Sequence, residues 1–192
     1  MEDYLVARKR PTGVSILAFL AILGAVVITI ISALAIFAVI QGDDRVRQAS
    51  EAMAQIGIPP YFMAAGILFL LALGWASGIG MWIGAKWGWH LGAFWYAYAI
   101  ARNIGALLTI YGSAEMFEAE MSSSSSRGPE YYYIKHSGRL LISFLIYLYF
   151  FKDNVREYFG LENASKWNAV AAHFGICAAL FIVGTAISVA LT

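Results

Sequence analysis

His173 and Cys177 stand four positions apart in the last apolar segment of the chain and so share one helical face. That is the least geometry with which a helix offers a metal ion or a haem two ligands. Two ligands do not close a site. The other histidines, His90 and His136, are expected at opposite membrane surfaces, so no third nitrogen should join the pair. Cysteine also serves as a small hydrophobe, and a histidine near the end of a span serves the interface, so neither a metal nor a cofactor is expected. Met116 and Met121 alternate with Glu115, Glu118 and Glu120, as a copper-catching tract would, but the same residues read more simply as a flexible acidic loop. No GxSxG, HExxH, P-loop or paired carboxylate lies on a shared element, and the chain is not expected to be an enzyme. No acidic residue falls inside an apolar segment, which weighs against a proton-coupled carrier, because intramembrane carboxylates are the usual relays.

Arg102 stands near the midpoint of an apolar segment, beside Asn103. Inserting an arginine there costs about 2.5 to 3.5 kcal/mol, so something should compensate it. Tyr98, one turn earlier, offers a ring face and Asn103 an amide oxygen, and neither cancels a charge. Arg102, Asn103 and Tyr98 are therefore the candidates for meeting a partner or lining a polar path; the competing reading is that Arg102 snorkels to the surface.

The elements that carry these residues belong in a bilayer. Of 192 residues 60% are hydrophobic and 13% charged, with mean hydropathy +0.68, whereas soluble domains carry roughly 25% charged residues. A net charge of +1 without a basic cluster excludes nucleic acid as a partner, and a single cysteine excludes an intramolecular disulfide. A helix needs about 20 apolar residues to cross the hydrocarbon. Five segments meet or approach that length: 12–40, opened by Pro11; 61–84, after Pro59-Pro60; 89–111; 133–151, which must reach across Lys135, His136 and Arg139; and 168–191. Arg8, Lys9 and Arg10 resemble the charged leader of a signal peptide, but the uncharged run from Val14 to Ile40 is too long for one. The expected fold is an all-α integral membrane protein, residues 1–192 forming a single bundle of about five transmembrane helices.

Between the first two spans, Asp44 can cap a short interfacial helix that Gly57 ends. The stretch 113–130, acidic and then serine-rich from Ser122 to Ser126, reads as a flexible outer loop. In the segment after the fourth span Asp153 is a candidate N-cap, with Val155, Phe159 and Leu161 as a small apolar face. Helices in lipid pack closely through small residues. Gly74, Gly78, Gly80 and Gly84, followed by Ala93, Ala97, Ala101 and Gly105, predict a tight hairpin of the second and third spans.

Basic residues in short loops set orientation. A cytoplasmic N-terminus puts Arg8, Lys9, Arg10, Lys86, Lys152, Arg156 and Lys166 inside, against Arg45, Arg47, Arg127, Lys135 and Arg139 outside. The C-terminus then lies outside, and the acceptor triplet Asn163-Ala164-Ser165 faces the cytoplasm.

The stretches RPTGVSILA, MWIGAKWGWHLG and KDNVREYFGL resemble a loose group of small uncharacterised prokaryotic multi-pass membrane proteins. These share an RPxGV-type start, a WxGxKWGW-type turn and a DxVxxYFG-type end of the fourth span. The resemblance covers roughly the first four spans and implies no activity, cofactor or site. The function expected is that of an accessory or scaffolding subunit of a larger membrane complex, partnered by the bilayer and by other membrane subunits or its own copies. The alternative is a small-solute or ion channel or transporter with a polar path near Arg102 and Asn103.

Overall fold

Pro11 lacks an N–H that the first turn of a helix leaves unpaired in any case, and α1 (Thr12–Ile40) starts directly after it. In the structure, a computed structural model, residues 9–41, 48, 60–112 and 129–191 are described. They form α1, α2 (Pro60–Trp82), α3 (Lys86–Gly112), α4 (Pro129–Phe150), the short α5 (Asp153–Tyr158) and α6 (Lys166–Leu191). Among the described residues there is no strand. The expected interfacial helix after Asp44, and the loop through Ser122–Ser126, lie outside the described residues.

Among the described residues three helices are long and apolar enough to cross a membrane: Thr12–Ala38, Ala64–Trp82 and Lys166–Ala186. α3 and α4 have 27 and 22 residues, roughly 40 and 33 Å at 1.5 Å per residue, but Arg102 interrupts the one and Lys135, His136 and Arg139 the other.

α3 is the hub. It packs against α2, α4 and α6, while α1 lies against α2. Its inner face runs through Trp89, Ala93, Ala97, Ile100 and Asn103, all buried, at the three- and four-residue steps that keep side chains on one side of a helix. Dry packing gathers at one end, where Val14, Met81, Trp89, Phe150, Val155 and Phe159 are at most 2% exposed. Toward the other end the helices stand open: every position from Ala64 to Leu70 on α2 and from Ala178 to Ala186 on α6 is exposed.

The glycines of α2 divide between two neighbours. A Cβ on Gly78 would meet the Ile22 side chain of α1 at 2.6 Å, and one on Gly74 would meet Ala25 at 3.3 Å. One on Gly80 would lie 2.6 Å from the Gly88 Cα of α3. Two residues along a helix turn the side chain by about 200°, so Gly74 and Gly78 face α1 while Gly80 faces the other way. On α3, Ala93 and Ala97 are fully buried, Ala101 is half-buried against the core, and the space around Gly105 is open.

Gly84 adopts φ 71° just past the end of α2, with the Ala85 N–H on the Gly80 carbonyl, and ends that helix as a Schellman turn. Gly160 repeats the device after α5 with φ 67° and the Leu161 N–H on the Arg156 carbonyl. The N-cap of α5 is Lys152, in extended conformation, rather than Asp153. α4 ends at Phe150 and the chain reverses through Phe151, so the helix restarts at Asp153. The carboxylate of Asp153 is turned to Lys166 at 2.9 Å. Val155, Phe159 and Leu161 point into the core.

Candidate functional site

The packed end of the bundle carries two polar constructions, and both rest on side chains that lock helix termini. Trp89, in the first turn of α3, donates its indole N–H to the Phe150 carbonyl at 2.8 Å, so a buried indole ties the start of α3 to the end of α4. It lies edge-on to His90 and to Phe151, and tilted against His173 of α6.

Around Trp89 three side chains from three helices form a chain. His90 Nδ1 lies 3.4 Å from His173 Nε2, and His173 Nδ1 lies 3.2 Å from the Tyr147 hydroxyl of α4. His173 and Tyr147 are 2% and 4% exposed. Two proton arrangements satisfy the chain. Either His90 donates to His173, which donates to the Tyr147 oxygen, or Tyr147 donates to His173, which donates to His90. His90 is exposed and, with Trp89 and Lys166, lines a cavity of about 310 Å³. In either arrangement His90 is the end of the chain that reaches the cavity. The two imidazoles could also grip a cation, yet no group of three His, Cys, Asp or Glu side chains comes together among the described residues. Cys177 is buried one turn beyond His173.

The expectation that no further nitrogen joins His173 is corrected here: His90 does. The signal was present in the alternation of the helices: α3 and α6 start on the same side of the bundle, and each carries its histidine near that start.

The second construction unites the three motif stretches. The Arg10 guanidinium stacks on the Trp82 ring at 4.2 Å. The Tyr158 hydroxyl donates to the Trp82 carbonyl at 2.9 Å and also reaches the Met81 carbonyl at 3.3 Å, covering the end of α2. The Tyr149 hydroxyl lies against the start of α1, and its approach leaves no room for a side chain at Gly13. Arg156, 6% exposed, folds the following loop around itself by donating to the carbonyls of Leu161 and Ala164, the former at 2.8 Å. Lys166 holds the fully exposed Asp153 carboxyl below the usual carboxylate range, chiefly by their hydrogen bond.

No protein family, curated protein or solved structure matches the chain.

The residues singled out along the third span do not converge. Asn103 is 1% exposed, donates to the Ala99 carbonyl at 2.7 Å and meets His136 Nδ1 of α4 at 2.9 Å. Its neighbour Arg102 is exposed, and the charges of Arg102, Lys135 and Arg139 all act on His136. Tyr98 stacks on Phe181 of α6, ring centroids 6.4 Å apart, and not on Arg102. Between the Asn103–His136 pair and the His90–His173 pair lie Ala97 and Ile100, 0% and 5% exposed.

Proposed function

We propose that the chain is a five-span membrane protein with a cytoplasmic N-terminus that serves as an accessory or scaffolding subunit, associating with other membrane helices through its open half. The observation that carries this reading is the contrast between the two ends of the bundle. The packed end is tied by Trp89, Tyr158 and Arg156, whereas residues 64–70 of α2 and 178–186 of α6 are exposed at every position.

Lipid can cover apolar side chains, but small residues such as Ala64, Ala65, Gly66, Ala178 and Ala179 favour the close backbone approach of another helix. An apolar hollow of about 350 Å³ opens between α2, α3 and α6, walled by Trp95, Tyr98 and Phe181 among others. Arg102, Lys135 and Arg139 add a basic face near His136, suited to a partner's carboxylate. Five spans are favoured because α3 and α4 are long enough to cross and their basic residues sit where long side chains can reach an interface.

The channel alternative draws less support. A path along α3 would have to join its two polar pairs, and Ala97 and Ile100 close the interior between them.

Extraction in a mild detergent followed by mass spectrometry tests the proposal. Stoichiometric co-purification of other membrane proteins, lost on Gly66→Leu or Ala179→Leu, is the expected outcome. A protein that purifies alone and carries solute flux in liposomes overturns it.

A further inference from the structure

We propose that the cavity under the N-terminus of α1 binds a phosphate group, and that the phosphate is the headgroup of a membrane phospholipid. The cavity has a volume of about 470 Å³, and among the residues that line it Lys9, Arg10, Thr12 and Asn154 offer N–H or O–H donors, while Tyr158 already spends its hydroxyl on the end of α2. It lies where the first and third motif stretches meet, and Trp82 of the second forms the platform under Arg10.

Arg10 is the principal anchor. Its guanidinium is held flat by the Trp82 ring rather than by an acceptor, and its Nε is buried with no hydrogen-bond partner. A half-buried guanidinium in that state is a charged donor lacking the oxygen it is built to meet, and the planar fork matches a phosphate. Lys9 adds a second, exposed cation at the same rim. The Glu157 carboxylate in the same lining repels a bare dianion, but it can pair with the ammonium of a zwitterionic headgroup whose phosphate sits on Arg10 and Lys9.

The surroundings favour a lipid over a soluble phosphate. Trp82, Trp87 and Trp167 are 46%, 46% and 81% exposed at this end of the bundle, an indole belt of the kind that marks the headgroup layer. Ile16 on α1 and Leu145 on α4, one turn from Thr12 and Tyr149, are exposed and apolar and offer acyl chains a way into the bilayer. Basic pockets between membrane helices on the cytoplasmic side recognise phospholipid headgroups by this chemistry.

The full-length protein in mild detergent is mixed with phosphatidylethanolamine, phosphatidylglycerol, diacylglycerol or inorganic phosphate, and retained ligand is measured by native mass spectrometry. Phospholipid should be retained and diacylglycerol lost. Lys9→Gln, at an exposed position that does not pack in the core, should weaken retention roughly fivefold, and Lys9→Gln with Arg10→Gln roughly twentyfold, whereas Lys86→Gln on the neighbouring turn should have no effect. Unchanged retention in Lys9→Gln and the double variant, or equal retention of diacylglycerol, overturns the site. Tight binding of inorganic phosphate that excludes phospholipid overturns the assignment to a headgroup.

Discussion

Gly80 of α2 and Gly88 of α3 meet backbone to backbone: a Cβ on Gly80 would lie 2.6 Å from the Gly88 Cα. A main chain cannot move aside as a side-chain tip can, so Gly88→Ala should force the two helices apart at a cost of about 1–3 kcal/mol. Gly105→Ala on the same helix has open space around it and should be neutral or stabilising by about 0.5–1 kcal/mol. Thermal unfolding in detergent compares the two, and equal melting temperatures would show that the Gly80–Gly88 contact is not formed.

Gly78 makes a different kind of contact, since the atom that its Cβ would strike is the Cγ1 of Ile22 on α1. Gly78→Ala should therefore destabilise, and adding Ile22→Ala should recover part of the loss, a coupling of roughly 0.5 kcal/mol or more in a double-mutant cycle. Strict additivity of the two changes would place Gly78 away from α1.

Removing the Tyr158 hydroxyl frees the Trp82 carbonyl that it covers at 2.9 Å, and Tyr158→Phe should cost about 1 kcal/mol. Arg156→Met should cost more, about 2–3 kcal/mol, because several carbonyls of the loop after α5 lose their donor together. The order of the two melting temperatures is the check: a Tyr158 variant less stable than the Arg156 variant would contradict the role given to Arg156.

Neighbours on α3 should behave in opposite ways. Asn103→Leu takes the hydrogen-bond partner from the half-buried His136 ring and should destabilise the bundle by about 1 kcal/mol. Arg102→Leu removes an exposed charge, so the isolated protein should keep or gain stability. Under the subunit proposal it should nevertheless lose co-purification with its partner, and Arg102→Lys should restore that only in part, since an ammonium lacks the fork that grips a carboxylate. Full co-purification of Arg102→Leu would remove Arg102 from the partner surface.

The tie between Asp153 and Lys166 sets a sign for pH dependence. The carboxyl is depressed in the folded chain, so its contribution is fully present above the unfolded carboxylate value near about 3.9 and fades as pH falls through the lower folded value. Asp153→Asn should flatten the acid limb of the melting-temperature profile: it lowers the melting temperature slightly at neutral pH, where the exposed and screened pair is formed, and leaves it unchanged at low pH, where the carboxyl is protonated. A loss at low pH as large as that at neutral pH would rule this linkage out.

Hydropathy and punctuation were enough to locate α1, α2 and α6: the long apolar runs, Pro11 before the first and Gly84 at the end of the second are local features, and each acts through its own backbone or a full turn of helix. What those runs could not carry is direction. α1, α2 and α6 are apolar on every side, so their pattern does not say which side meets a neighbour. Arg102 and Asn103 differ by about 100° around α3, and α4, with His136 facing Asn103, decides that the asparagine turns inward and the arginine outward. His90 and His173 stand 83 residues apart, and Tyr158 reaches back 77 to Met81. Such pairs exist only once helices that alternate in direction have packed, because their geometry belongs to the interface between two elements and to neither element by itself.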